Sequence, residues 1–233
     1  MSSINILSGG AAQGLVASLL PAFKERTGCD IVGHFGAVGV MADKLREGVP
    51  ADIVILTAPL IAKLAEDKLI FRSSIAAIGA VETAIAMRSA DPKVSVGDAD
   101  ALRSALLASD AIFVPDTKAS TAGIHVAKVL SDLGIAEEVA PRLKIYPNGA
   151  TAMRHLAASD AARPIGCTQA TEILNTEGVA LSSALPPGCE LRTVYTAAIA
   201  ARAEKAEAAQ VLINLLTSPD QRELRARAGF LPA

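Results

Sequence analysis

Short apolar runs alternate with amphipathic helical stretches from one end of this chain to the other, and that alternation constrains the fold more tightly than anything else in it. Residues 4–7 (INIL) read as a strand, and Ser8-Gly9-Gly10 turns the chain. Leu15, Leu19 and Phe23 then recur at four-residue spacing, one face of a helix. Gly28 stands where a C-cap is expected. Residues 30–34 form a second strand, and the run FGAVG at 35–39 leads into a helix carrying Met41 and Leu45 that stops at Gly48. Residues 52–56 are a third, apolar strand. Pro59 suits the first turn of the helix after it, where its missing N–H would be unpaired anyway.

A second alternating set follows. Residues 83–87 are apolar enough for a strand, and Asp98 caps a helix with Leu102 and Leu106. Residues 111–114 form a strand ending at Pro115-Asp116, and Ser120-Thr121-Ala122-Gly123 opens a helix carrying Ile124, Val129 and Leu133. Residues 143–146 are a strand, Asn148-Gly149 opens a helix with Met153 and Leu156, and residues 164–167 are a strand whose next helix Thr168 can cap. Residues 193–199 read as a last strand, residues 203–216 as a long helix, and Ser218-Pro219-Asp220 starts a final helix ending at Gly229-Phe230.

Such alternation predicts parallel sheets with helices on both faces, and ligands beyond the carboxyl ends of the strands. The loops at 8–12, 36–39 and 57–58 converge there. With no repeat and no low-complexity linker, the expected class is α/β in two lobes. Each lobe is a mostly parallel sheet flanked by helices, with a ligand cleft between them. The first lobe is residues 1–82 plus 198–233 and the second 83–197.

Composition supports this. Hydrophobic residues make up 51% of the 233, but aromatics only 3% with no Trp, so the core is built from Ala, Leu, Ile and Val, as suits strands covered on both faces. A net charge of −2 gives no basic stripe for nucleic acid. No apolar run reaches the roughly 18 residues of a membrane span, so neither a nucleic-acid partner nor membrane insertion is expected. Cys29, Cys167 and Cys189 lack metal-ligand spacing, and their odd number excludes full pairing; three reduced, buried thiols and no metal are expected. No cofactor motif is present: the two-glycine turn lacks the Lys-Ser/Thr of a phosphate-binding loop. Without a charged and then apolar leader, the chain as written is expected in the cytoplasm, or in the periplasm if a leader has been trimmed.

The order of several short pieces resembles the molybdate-binding family of bacterial solute-binding proteins, of the type II periplasmic class. The pieces are SGGAAQGL at 8–15, FKERTG at 23–28, FGAVG at 35–39, GVPADIVILTA at 48–58 and PDTKASTAG at 115–123, then SPDQ and GF near the end. The resemblance implies a small anion held by hydroxyls and backbone N–H groups. By position these come from Ser8, Gly9, Gly10 and Ala11, from Ala37 and Val38, and from Thr57 and Ala58. In the second lobe they come from Ser120, Thr121 and Gly123, from the Asn148-Gly149 turn, and from Thr168 and Tyr195. Helix N-termini aimed at one point supply N–H donors and positive dipole ends without formal charge. The family usually carries a serine where this chain has Val38. The lost hydroxyl favours a carbon-bearing anion, such as a di- or tricarboxylate, over molybdate. An ABC permease is an implied partner only if the protein is exported.

Aconitate isomerases resemble the same family, which raises a second reading: a cytoplasmic isomerase of a small unsaturated carboxylate, with His34 and Thr121 as its catalytic candidates. His34 is expected at the carboxyl edge of the second strand, where it is either a proton shuttle or a strand-end histidine. His125 is either cleft-facing or partly exposed, and His155 is expected at the surface. Asp116 and Lys118 read as loop charges more than as a clamp. Nothing places Arg88 or Arg142 at the cleft.

Overall fold

In a computed structural model, which describes residues 2–233, the chain divides into two compact units, residues 2–81 with 193–233 and residues 82–192. The chain passes from one to the other inside two strands.

In the first unit, β1 (Ser2–Gly9), β2 (Cys29–Gly36), β3 (Ile53–Thr57) and β9 (Arg192–Ile199) form a sheet in the order β2-β1-β3-β9. β1 lies parallel to both β2 and β3, and β9 runs antiparallel to β3. β3 is buried along its whole length. A strand covered on both faces reads as an unbroken apolar run rather than an alternating one, as IVIL does. Helix α1 (Gln13–Thr27) buries Leu15, Val16, Leu19 and Phe23 and ends at Gly28, whose φ of 66° fits a left-handed cap. Helices α2 (Val38–Arg46) and α3 (Ala58–Glu66) follow β2 and β3, and α9 (Ala206–Thr217) and α10 (Arg222–Arg227) close the chain. Asp52, almost fully buried, ties these segments together: it accepts from the Asn5 N–H at 2.7 Å and from the Lys205 N–H at 2.8 Å.

The second unit contains the rest of β4 (Ala76–Arg88), then α4 (Ala99–Ala108), β5 (Ala111–Pro115), α5 (Thr121–Asp132), α6 (Ala136–Val139), β6 (Leu143–Tyr146), α7 (Gly149–Ala157), β7 (Pro164–Gln169), α8 (Ala170–Leu174) and β8 (Val179–Ala184). β5 lies parallel to β6 and β7, while β4 runs antiparallel to β7 and β8. Ile85, Leu102, Leu106, Ile112, Val114, Val126 and Leu130 are among its core residues. Asp98 caps α4 as expected, accepting from the Ala101 N–H at 2.8 Å.

Two local expectations are corrected, and one strand is added. Thr168 does not cap a helix: it still lies in β7, and Gln169 is the first residue outside α8. His34 is not at the strand end: β2 continues to Gly36, and His34 is exposed. Strand β8 has no counterpart in the sequence reading. VALSSA is too mixed to announce itself, and it is a strand because it pairs with β4. Arg88 and Arg142 hold loops: Arg88 pairs with Asp91 at 2.6 Å and donates to the Ser159 carbonyl, and Arg142 donates to the Leu107 and Ser109 carbonyls.

Candidate ligand site

The carboxyl ends of β1, β2 and β3 lie side by side. Gly9 is opposite Gly36 in the first pairing, and Ser8 is opposite Ile55, two residues before Thr57, in the second. Each strand runs straight into a helix. β1 does so through a tight turn at Gly10–Ala12, β2 through Ala37, and β3 through Thr57. No side chain caps any of the three helix starts, although Thr57 has a hydroxyl in position to do so. First-turn N–H groups have no intrahelical acceptor. The first unit therefore presents three helix starts, with their positive dipole ends, at one edge of its sheet.

The side chains at this edge are mixed. Ser8 is fully buried, and its hydroxyl donates to the Gly9 carbonyl at 2.9 Å. Tyr195, brought opposite Thr57 by the β3–β9 pairing, is buried edge-on against Phe230. A Cβ on Gly9 would stand 2.8 Å from Val38 Cγ1 and 2.9 Å from Tyr195 Cε1. Glycine is required there because two apolar side chains close over the backbone. Ser8, Gly9, Ala37, Val38, Thr57, Ala58 and Tyr195 are thus brought together, with Gly10 and Ala11 in the turn beside them; His34 stands apart on the exposed edge strand.

In the second unit the carboxyl edge belongs to β5, β6 and β7. Beyond β5, Asp116 folds back on its own loop and accepts from the Lys118 and Ala119 N–H groups at 2.7 and 2.9 Å. Those two donors hold its carboxyl below the usual range. Ser120 precedes α5 without capping it, and Thr121 is its first residue. Gly123 serves packing: a Cβ there would lie 2.1 Å from the Asp116 carbonyl oxygen. His125 is tied down by a 2.8 Å contact with the Cys189 carbonyl, and His155 is exposed and stacked on Tyr146.

The start of α7 is different. Asn148 caps it, accepting from the Thr151 N–H at 2.8 Å. The Gly149 and Ala150 N–H groups donate to the carboxylate of Glu172, which also accepts from the Gln169 N–H and, at 2.6 Å, from the Thr168 hydroxyl. A Cβ on Gly149 would fall 1.9 Å from Glu172 Oε2. Burial pushes the Glu172 carboxyl above its ordinary value, outweighing the four hydrogen bonds that pull it down. This helix start is already occupied, then, by the protein's own carboxyl group. Gln169, 2% exposed, lies beside it; its Nε2 is 3.4 Å from the Thr83 hydroxyl, and its Oε1 has no hydrogen-bond partner. The Thr171 hydroxyl is likewise unpartnered. Glu172, Gln169 and Thr171 were not singled out from the sequence; the available signal was the polar run TQATE following the apolar start of β7.

Among the described residues no cluster of His, Cys, Asp and Glu could hold a metal ion, and no helix is long and apolar enough to cross a membrane. A family model for bacterial extracellular solute-binding proteins matches residues 4–231. The chain belongs to that family. Among solute-binding relatives, the periplasmic molybdate-binding protein of Azotobacter vinelandii superposes with a TM-score of 0.81 at 15% identity, over 99% of this chain and 100% of that one. The molybdate-binding protein ModA of Escherichia coli K12 is 21% identical over 97% of this chain and 88% of its own length. An aconitate isomerase from a Pseudomonas species is 22% identical over 100% of this chain and 88% of its own length. The two-lobe solute-binding fold expected from the sequence is the fold of these relatives.

Proposed function

We propose that the chain binds a small carbon-bearing anion, a di- or tricarboxylate, in a cleft between its two units, which hinge together around it. The observation that carries this reading is the edge of the first unit, where three uncapped helix starts meet beside Val38 and Tyr195. Helix N-termini suit negative charge. The valine methyls and the tyrosine ring close this edge with carbon in place of hydroxyl, which suits a carbon skeleton better than a compact tetrahedral oxyanion. In the second unit Glu172 occupies the start of α7, so a second ligand carboxylate is expected at Ser120 and Thr121, the start of α5. If the protein is exported, an ABC permease is the partner that would receive the ligand.

A thermal-shift panel tests this reading, setting molybdate, tungstate, sulfate and phosphate against aconitate, citrate and simpler dicarboxylates. A ligand at about 100 times its Kd should add about 2.7 kcal/mol. Stabilisation by carboxylates alone is expected; stabilisation by tetrahedral oxyanions alone overturns the carboxylate assignment.

The full-length likeness to a protein named aconitate isomerase favours a second reading, in which the bound carboxylate is also isomerised. Thr121, at a helix start, is the candidate for moving the proton, since His34 lies apart on the exposed edge strand. Incubation with trans-aconitate, followed by NMR for the cis form, decides between the readings. Turnover that Thr121→Ala abolishes supports the isomerase, and binding without turnover leaves the protein a binder.

A further inference from the structure

The first unit has a second concavity, at the other ends of its strands. A pocket of about 310 Å³ lies where the chain leaves α2, where it leaves α3 and where it leaves β9; Arg46, Gly48, Ala51, Asp67, Lys68 and Arg202 are among the residues that line it. Its size falls within the range of small-molecule sites.

The two helices end here with the same closure. After α2, the Gly48 N–H donates to the Leu45 carbonyl and the Val49 N–H to the Lys44 carbonyl. After α3, the Lys68 N–H donates to the Ala65 carbonyl and the Leu69 N–H to the Leu64 carbonyl. This paired closure puts one residue in the left-handed region, normally glycine. α2 uses Gly48, with φ 84°, but α3 uses Lys68, with φ 57°, the only non-glycine residue of positive φ among the described residues. A lysine held there costs about 1–2 kcal/mol. A side chain that breaks a local rule without local benefit is expected where it does something else.

The charges show what that is. Arg46 is engaged by Asp43 at 2.9 Å and, at 3.6 Å, by Asp67, the carboxylate of the lining. Lys68 and Arg202 are exposed, and neither has an ion pair among the described residues. Arg202 reaches over Gly48, its Nη1 4.0 Å from where a Cβ on that glycine would stand. Lys44, Arg46 and Lys63 in the last turns of α2 and α3 already face the negative helix ends, and Lys68 and Arg202 add two further cations at the same place.

We propose that this pocket is a second ligand site, which grips a small oxydianion between the ammonium of Lys68 and the guanidinium fork of Arg202. It shares no residue with the site above and does not depend on the identity of that ligand.

The test titrates inorganic phosphate into the full chain at low ionic strength, with chloride as the control, and follows amide shifts at Gly48, Leu69 and Arg202. Those amides are expected to move in the wild type with phosphate and not with chloride, and Arg202→Ala is expected to weaken the effect about tenfold, as for loss of one charged hydrogen bond. Lys68→Gly is the decisive variant. It relieves the backbone, so it should raise Tm, yet it should weaken phosphate binding about tenfold as well. Opposite effects on stability and affinity are not what a merely structural lysine gives. Lys68→Gly with raised Tm and unchanged phosphate affinity overturns the proposal. So does a wild type whose pocket amides ignore phosphate, or a phosphate response lost in Thr57→Ala, which alters the other site.

Discussion

Val38 is 6% exposed, and together with Tyr195 it closes over the backbone of Gly9, so the first residue of α2 decides what kind of surface accompanies three helix starts. A serine there would exchange two methyl contacts for one hydroxyl. Val38→Ser should therefore shift preference toward tetrahedral oxyanions by about tenfold or more, the worth of one hydrogen bond to a charged group. The same change should weaken carboxylate binding. Calorimetric titration of the variant with sulfate and with citrate reads both effects, and an unchanged ratio of the two affinities would remove Val38 as the selector. Gly9 was legible in sequence as a tight-turn glycine. What it makes room for was not, because Tyr195 reaches it from a strand almost two hundred residues away.

Helix α7 shows the same limit one level up. Its start was readable: Asn148 is a strong N-cap and Gly149 follows it. That the freed N–H groups would be taken by Glu172 was not, since the carboxylate arrives from α8, after an intervening strand. Glu172→Ala strips the acceptor from three N–H groups and the Thr168 hydroxyl, in a place with little access to water. It should cost about 1–3 kcal/mol, the penalty for buried donors left unsatisfied. Millimolar formate, which fits the vacated carboxylate position, should restore part of that in a urea melt, while chloride at equal concentration should restore less. The pH dependence has a definite sign. A carboxyl pushed up by burial binds its proton more tightly in the folded chain than in the unfolded one. Its contribution is fully present below the ordinary glutamate range and is lost as pH rises through the folded value. Over that rise the wild type should lose stability relative to Glu172→Gln, which cannot ionise. Parallel slopes for the two proteins would contradict the raised value.

At the scale of the molecule the two units differ in how they are assembled. The second is one continuous segment, residues 82–192, with its own core around Ile85, Leu102 and Val126. The first needs both ends of the chain: β9 supplies the antiparallel neighbour of β3, and the start of α9 supplies the Lys205 N–H that satisfies buried Asp52. A fragment of residues 82–192 should accordingly show a cooperative thermal transition by circular dichroism. A fragment of residues 1–81 should not, because β3 would expose an edge and Asp52 would lose one of its two partners. A cooperative melt of the shorter fragment would show that the C-terminal segment is dispensable.

The sequence by itself determined what is local and periodic: apolar strands, amphipathic helices, the glycine and Asn or Asp boundaries between them, and hence parallel strands whose carboxyl edges carry helix starts. Those features depend on residues within a few positions of one another, so the chain states them directly. Tertiary structure alone decided which helix starts carry no side-chain cap and which is already filled. It also decided that His34 lies exposed on an edge strand, and that VALSSA becomes a strand beside β4. Each of these depends on groups brought together from distant segments, where burial and hydrogen-bond competition, not local propensity, decide the outcome.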